Sequence, residues 1–227
     1  MKIALLGAES TGKSQLAAEL AAHLCANGQR ATAVGEYLRE WCEQRGRTPH
    51  RTEQVHIAQT QEVRIKAAAK NAAWVVADTT PLMTAIYSEF IFQDSSLTKA
   101  ALDYQKSFDL TLVTGLDMPW EADGIQRDGA HVRAPVDALI RTRLQTSGIP
   151  FEVIYGTGEL RTEHAIQAIA RHSNSLNTIN SIAHRAHNTP ATDPKSLKNW
   201  QWQCEKCSDA DCEHQLFRRL MDAAAKS

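Results

Sequence analysis

The sequence has almost no net charge and no long apolar run, and each absence removes a class of protein. Its 25 Lys and Arg residues nearly balance 26 Asp and Glu residues, so we expect no broad basic surface for DNA or an anionic membrane. No apolar run approaches the roughly 20 residues that a membrane-spanning helix needs. The opening MKIALLG is too short in apolar residues for a signal peptide. These features predict a cytoplasmic protein.

The cysteines do not form the pattern of a disulfide framework. There are 5 in all, and an odd number without an export signal argues against paired disulfides. Cys25 and Cys42 lie apart in the main body, whereas the other three crowd into the C-terminal tail. Metal binding by that tail therefore remains open.

Short apolar segments alternate with helical patterns along most of the chain. Because wholly apolar strands suit a parallel sheet covered by helices on both faces, this alternation predicts an α/β fold. At 227 residues the chain is long enough for one such domain and a short appendage. The predicted strands are residues 3–6, 31–34, 74–77, 110–113 and 151–155, and the last core helix is expected from 159 to about 171.

The segment GAESTGKS, residues 7–14, fits the pattern G-x-x-x-x-G-K-[ST] of a P-loop NTPase. In such a loop the backbone N–H groups surround phosphates, the lysine reaches the β- and γ-phosphates, and the final hydroxyl binds Mg²⁺. A strand before it and a helix after it complete the expected context. The dinucleotide pattern G-x-G-x-x-G is absent here. The predicted nucleoside triphosphate site comprises Gly7, Ala8, Glu9, Ser10, Thr11, Gly12, Lys13 and Ser14.

Other strand ends carry candidate residues for phosphoryl transfer. Asp78 ends the third predicted strand and is a candidate second Mg²⁺ ligand, the alternative being a cap for the next helix. A guanine-specific switch is disfavoured, because Thr114-Gly115-Leu116-Asp117 lacks the Asn-Lys of that motif. A small-molecule phosphotransferase or a nucleotide-gated regulator remains.

A kinase also needs a base for the acceptor hydroxyl and arginines over the phosphates. Glu36 follows the second predicted strand and is the candidate base, although a surface salt bridge with Arg39 and Glu40 is an equally good interpretation. Arg127 and Arg133 lie in the long polar loop from 119 to 135. A loop of this length is usually functional or disordered, so these arginines are either lid residues over the phosphates or solvated surface charges.

Several motifs in one order resemble the ribosylnicotinamide kinase domain of NadR-type proteins and related stand-alone ATPases, over about residues 1–172. The resemblance implies a nucleoside-kinase-like sheet of order 2-3-1-4-5, ATP·Mg²⁺ as donor and a nicotinamide riboside hydroxyl as acceptor. The motifs are GAESTGKS, Glu36-Tyr37-Leu38-Arg39-Glu40, Asp78-Thr79-Thr80-Pro81-Leu82, Tyr87-Ser88 and Asp117-Met118-Pro119-Trp120-Glu121-Ala122-Asp123-Gly124.

Residue roles follow from the same resemblance. It implies that Lys13, Ser14 and Asp78 serve ATP·Mg²⁺ and that Glu36 is the base. Arg127 comes later after Gly124 than in the family. The implied acceptor and lid residues are Tyr37, Arg39, Asp117, Trp120 and Asp123, and the implied adenine-side residues are Gly156 and Gly158.

The C-terminal part has a different composition and lies beyond the resemblance. From residue 173 the apolar periodicity weakens, which predicts a linker over 173–199 and a short tail over 200–227. The tail has the spacing C-x2-C-x4-C-x-H, whose three sulfurs and one imidazole form a full tetrahedral ligand set for structural Zn²⁺. The alternatives are a redox thiol pair or buried thiols. The predicted zinc ligands are Cys204, Cys207, Cys212 and His214.

The sequence thus predicts an ATP-dependent kinase that acts on a small nucleoside-like molecule. The alternative is a nucleotide-gated ATPase or GTPase regulator, or an adapter, whose zinc tail contacts a protein or RNA partner.

Overall fold

The computed structural model describes residues 1–121 and 130–188, with side chains described through residue 174. Five strands form one parallel sheet in the order β2-β3-β1-β4-β5, as the resemblance implied. The strands are β1 (Lys2–Leu6), β2 (Ala31–Val34), β3 (Trp74–Asp78), β4 (Leu110–Thr114) and β5 (Glu152–Ile154). The α-helices are α1 (Lys13–Ala26), α2 (Tyr37–Arg45), α3 (Gln54–Asn71), α4 (Pro81–Phe92), α5 (Thr98–Gln105), α6 (Arg133–Thr146) and α7 (Gly158–Asn188), with 3₁₀ turns at Arg51–Glu53 and Ala130–Val132.

Both faces of the sheet are covered, which explains why its central strand β1 is apolar from Ile3 to Leu6. On β1, Ile3 and Leu5 pack with residues of α1 and α7, whereas Leu6 packs with residues of α4 and α6 on the other face. All three are fully buried, and each such side chain stabilises the fold by about 1.5–3 kcal/mol. This packing fixes α1 behind the loop at residues 7–12.

The carboxyl ends of β1, β2 and β3 meet at one edge of the sheet. Leu5 pairs in register with Asp78, and Val34 pairs with Ala77. Since the chain leaves each strand at this edge, the P-loop after β1, Glu36 after β2 and Asp78 at the end of β3 are brought together. Ligands of open parallel sheets bind at this edge.

Helix α7 is longer than the sequence predicted. We expected the last core helix to end near residue 171, but α7 continues to Asn188. No Pro or Gly occurs from residue 172 to 188, and the first helix-breaking residue is Pro190, so nothing local stops the helix earlier. The chain divides into one unit of residues 1–176 and a second of residues 177–227.

Several predicted site residues lie outside the described residues, and their roles stay predictions. They are Asp123, Arg127, Cys204, Cys207, Cys212 and His214. Within residues 1–121 and 130–188, no helix is long and apolar enough to cross a membrane.

Candidate active site

The loop between β1 and α1 requires glycine at two positions. A Cβ on Gly7 would lie 2.0 Å from Thr114 Oγ1, and its φ of 152° is one that other residues rarely adopt. Gly12 precedes α1 in the left-handed conformation with φ 73°, and a Cβ there would lie 3.0 Å from Met118 Sδ. The glycine spacing of the motif is therefore explained by the close approach of β4 and the segment after it.

Hydrogen bonds hold this loop in shape. Thr114 Oγ1 donates to Thr11 Oγ1 over 2.7 Å, and Thr11 Oγ1 donates to the carbonyl of Ala8 over 2.9 Å. Lys13 Nζ donates to the same carbonyl over 2.8 Å, so its positive charge lies back over the loop. Ser14 follows Lys13 in the first turn of α1 and has an exposed side chain. A rigid loop, a cation and a helix N-terminus together form an anion-binding site.

Asp78 lies next to this loop and is suited to a metal ion. Its side chain is 3% exposed, and among the described residues its Oδ1 atom has no hydrogen-bond partner. A buried carboxylate oxygen without a protein donor needs a metal ion or a water molecule to satisfy it. Mg²⁺ usually binds through one or two carboxylates and substrate phosphates, so Asp78 and the Ser14 hydroxyl fit Mg²⁺.

A cleft of about 240 Å³ opens beside the P-loop, under α2 and α4. Its wall is partly apolar and partly charged. Leu38, Met83, Tyr87, Ile91 and Phe92 supply apolar surface, which suits a flat, largely apolar group. The polar and charged residues in its wall include Glu9, Lys13, Glu36, Arg39, His50 and Gln54.

Glu36 and Arg39 both reach this cleft, but Tyr37 and Glu40 do not line it. Glu40 forms an ion pair with Arg64, and the Tyr37 ring packs against the same guanidinium, with 4.4 Å between ring centroid and Cζ. The sequence left open whether Glu36 belongs to a surface salt bridge with Arg39 and Glu40. Glu40 pairs with Arg64, whereas Glu36 and Arg39 both line the cleft.

Cys42 lies in the wall of the cleft, and its thiol is expected to be unreactive. Burial and the negative charge of Glu36 together raise the pKa of its thiol to about 11. A thiol with this pKa is almost entirely protonated at neutral pH and is a weak nucleophile. Cys42 therefore contributes shape rather than reactivity.

On the far side of the P-loop, Arg161 joins three segments. Its guanidinium donates to the carbonyl of Thr11, to the carbonyl of Gly156 over 2.6 Å and to Asp117 Oδ1 over 2.5 Å. Asp117 also accepts a hydrogen bond from the Gly156 backbone. Burial lowers the pKa of Arg161, and the negative charge of Asp117 partly offsets this decrease. Asp117 thus connects the P-loop with the turn at Gly156 and does not line the cleft. Gly158, with φ 54°, begins α7 after that turn.

The segment after Asp117 lies against the P-loop. Ser10 Oγ accepts from the Glu121 backbone over 2.8 Å and donates to the Pro119 carbonyl over 3.5 Å. Trp120 lies between them, and its buried Nε1 atom has no partner within the part of the chain that is described. This segment leads into residues 122–129, which carry the other predicted lid residues.

Arg133 begins α6 and is 8% exposed. Within the described chain, its Nε and Nη2 atoms have no hydrogen-bond partner. Its positive charge also lowers the pKa of Arg161, so the two guanidinium groups lie near each other. A buried guanidinium with two unpartnered nitrogens is costly unless these bind an anion, which suits a phosphate.

Comparisons with known proteins agree with this geometry. A family model described as an AAA domain matches residues 2–161. The chain belongs to this AAA-domain family. No curated protein sequence matches it.

Solved structures with the fold of this AAA-domain protein include three kinase-related chains. A NadR protein in complex with NR superposes with a TM-score of 0.64 at 20% identity, covering 76% of this chain and 49% of that one. This protein therefore spans about half the length of that NadR chain. Thymidylate kinase from Ehrlichia chaffeensis gives 0.52 at 15% identity, covering 74% and 98%. Deoxyadenosine kinase from M. mycoides gives 0.50 at 18% identity, covering 77% and 100%. The NadR-type fold is thereby confirmed.

Sequence reasoning missed two buried residues of this AAA-domain protein. Arg161 lies in the first turn of the last helix, shortly after Gly158. Its charge at that place was the available sequence signal for a contact with the nucleotide loop. Gln61, in the middle of α3, is 2% exposed and bonds to Gly35 just after β2 and to Asp78 at the end of β3. No local pattern marks a glutamine for such a role.

Proposed function

We propose that this protein is an ATP·Mg²⁺-dependent kinase that transfers the γ-phosphate to a hydroxyl of a nucleoside-like small molecule. The observation that carries the proposal is that Lys13 of the P-loop and the carboxylate Glu36 line one cleft. Phosphoryl transfer needs little more than a bound phosphate, a positioned hydroxyl and charges that stabilise the transition state.

The donor side is formed by the P-loop and the residues around it. The loop amides and Lys13 bind the phosphates, and Asp78 with Ser14 holds Mg²⁺. Bound Mg²⁺ supplies positive charge against the phosphate oxygens. Arg133 has the burial and the unpartnered nitrogens that suit a second cation over the transferred group, and Arg127 remains a proposed lid arginine.

The acceptor side is the cleft wall beyond Lys13. Glu36 accepts the proton of the attacking hydroxyl, and Arg39 and His50 offer polar contacts to a sugar. Met83, Tyr87 and Phe92 provide the apolar surface that a planar base requires. The structural likeness to a NadR protein in complex with NR supports nicotinamide riboside as the first acceptor to test.

The predicted zinc tail remains part of the proposal. Its support is the spacing of Cys204, Cys207, Cys212 and His214, a full ligand set for a closed structural site. Among residues 1–121 and 130–174, whose side chains are described, no group of three or more His, Cys, Asp and Glu residues could hold a metal, and the tail lies outside those ranges. In the same way, the division into a domain of residues 1–172, a linker and a tail is proposed.

A direct test is incubation with ATP·Mg²⁺ and a panel of nucleosides and vitamins, followed by mass spectrometry of the products. We expect one acceptor to gain a phosphate. Glu36→Gln should lower kcat by about 10²–10⁴-fold, as loss of a general base does, and Lys13→Ala should abolish turnover. Glu40→Gln is the matched control on the same helix, because Glu40 pairs with Arg64 instead.

Two results would contradict the proposal. Tight nucleotide binding without transfer to any acceptor would favour a nucleotide-gated regulator. Equal kcat values for Glu36→Gln and Glu40→Gln would exclude Glu36 as the base.

A further inference from the structure

Gln61 lies in the middle of α3 and points its amide at the ends of β2 and β3. Its side chain is 2% exposed. A fully buried amide has to satisfy its donors and its acceptor within the protein. The partners that satisfy it are all backbone groups beside residues of the candidate active site.

The first contacts enclose Glu36. Gln61 Oε1 accepts from the backbone N–H of Tyr37 over 2.8 Å, and Gln61 Nε2 donates to the carbonyl of Gly35 over 3.2 Å. These two residues flank Glu36 directly in the chain. One side-chain amide therefore fixes the backbone on both sides of the candidate base.

The same amide reaches the end of β3. Gln61 Nε2 lies 3.4 Å from the carbonyl of Asp78 and 3.4 Å from that of Thr79. Thr79 has a φ of 66°, a conformation that costs a threonine about 1–3 kcal/mol. The strand end that carries Asp78 is thus held in an unfavourable backbone conformation, and Gln61 is one of the groups that hold it.

We propose that Gln61 is a positioning residue that sets the place of Glu36 relative to Asp78, and hence of the acceptor hydroxyl relative to the metal-bound phosphate. This inference rests on the proposed kinase function. Within the described part of the chain, Gln61 hydrogen-bonds to backbone atoms of residues 35, 37, 78 and 79, and it is absent from the wall of the cleft. Misplacement of reacting groups by about 1 Å can cost about 10²-fold in rate.

A second buried glutamine provides the matched control. Gln105 is 0% exposed and joins the side chains of Thr80 and Thr111 over 2.7 and 2.9 Å. Like Gln61, it is a fully buried amide with donor and acceptor both used. Unlike Gln61, it contacts neither the Glu36 segment nor the Asp78 carbonyl. The pairs to compare are Gln61→Leu with Gln105→Leu, and Gln61→Met with Gln105→Met.

We expect the variants at both glutamine positions to have a lower melting temperature than wild type, because each substitution leaves buried polar groups unpaired. Only the Gln61 variants should lower kcat, by about 10- to 100-fold, the usual loss when a group that orients a metal-site residue is removed. Mn²⁺ bound with a non-hydrolysable ATP analogue, followed by electron paramagnetic resonance, should bind about tenfold more weakly in the Gln61 variants.

The outcomes separate this inference from the proposed function. Equal kcat and equal Mn²⁺ affinity for the Gln61 and Gln105 variants would overturn the positioning role, and so would Gln61 variants that fail to fold while the Gln105 variants fold. If the wild-type protein phosphorylates no acceptor, the kinase proposal fails. The Mn²⁺ comparison then still decides whether Gln61 positions Asp78.

Discussion

Replacing Gly7 by alanine should disable the phosphate site by a steric mechanism that the structure makes explicit. A Cβ at this position would lie 2.0 Å from Thr114 Oγ1 and 3.1 Å from Thr11 Oγ1. An ordinary contact begins near 3.4 Å, so either the Thr114 side chain must rotate or β4 and the loop must separate by more than an ångström. The hydroxyl in the way is also the one that donates to Thr11.

The size of the effect follows from that displacement. Overpacking a well-packed site costs about 1–3 kcal/mol of folding free energy. A loop displaced by about 1 Å should lose about 10²-fold in phosphoryl transfer. We therefore expect a folded Gly7→Ala protein with a lower melting temperature, much weaker ATP binding and at least this loss of turnover.

A control variant and a rescue variant test whether the clash with Thr114 causes the loss of ATP binding. Gly28→Ala introduces a Cβ at another positive φ, 77°, with nothing within 4 Å, so it reports the backbone cost alone. Thr114→Ala removes the clashing oxygen and leaves Thr114 Cβ 3.3 Å from the new methyl group. The double variant Gly7→Ala with Thr114→Ala should recover part of the ATP affinity, measured by titration calorimetry. Wild-type affinity in Gly7→Ala, or no recovery in the double variant, would refute the steric argument.

Three further predictions concern other parts of the chain. Arg51 holds the pKa of Asp94 at about 2, below its ordinary 3.8, so this pair stabilises the fold above about pH 4 and its contribution is lost as pH falls toward 2. Melting temperatures of wild type and Asp94→Asn should therefore differ at pH 5 and converge near pH 2, and a constant difference would contradict this. Cys42, with a pKa of about 11, should be alkylated by iodoacetamide at pH 8 far more slowly than in urea-unfolded protein, as followed by peptide mass spectrometry; equal rates would exclude its burial. Protein purified without added zinc should contain one Zn²⁺ per chain, and Cys207→Ser should lose it; metal-free wild type, or a variant that keeps the full content, would favour buried or redox-active thiols.

The parts that local sequence could predict are those with local causes. The sheet followed from apolar runs alternating with helices, and its strand order followed from the family resemblance. The P-loop spacing and the acidic end of β3 needed only the rule that parallel strands end at one edge. Glu36 was placed near the nucleotide site by the same rule, and it lines the cleft with Lys13.

The parts that escaped prediction depend on contacts between distant segments. Arg161 and Thr11 are 150 positions apart in the chain, and Gln61 reaches both Gly35 and Asp78 from the middle of a helix. The family motif implied that Asp117 borders the acceptor or the lid. In the structure it bonds to Arg161 and to the Gly156 turn, and no spacing rule specifies that pairing.

The central position of β1 has a consequence for how the chain folds during synthesis. Ile3 pairs with Val76 on one side and Leu110 on the other, so β1 is synthesised before both of its neighbours, and its second neighbour is complete only at residue 114. At about 5–20 residues per second that delay is on the order of ten seconds. During this time the apolar stretch from Ile3 to Leu6 lacks at least one of its partner strands, and such segments are recognised by chaperones or aggregate. We therefore expect heterologous yields to respond strongly to expression temperature and to holding chaperones, and a nascent chain halted before β4 emerges to be protease-sensitive.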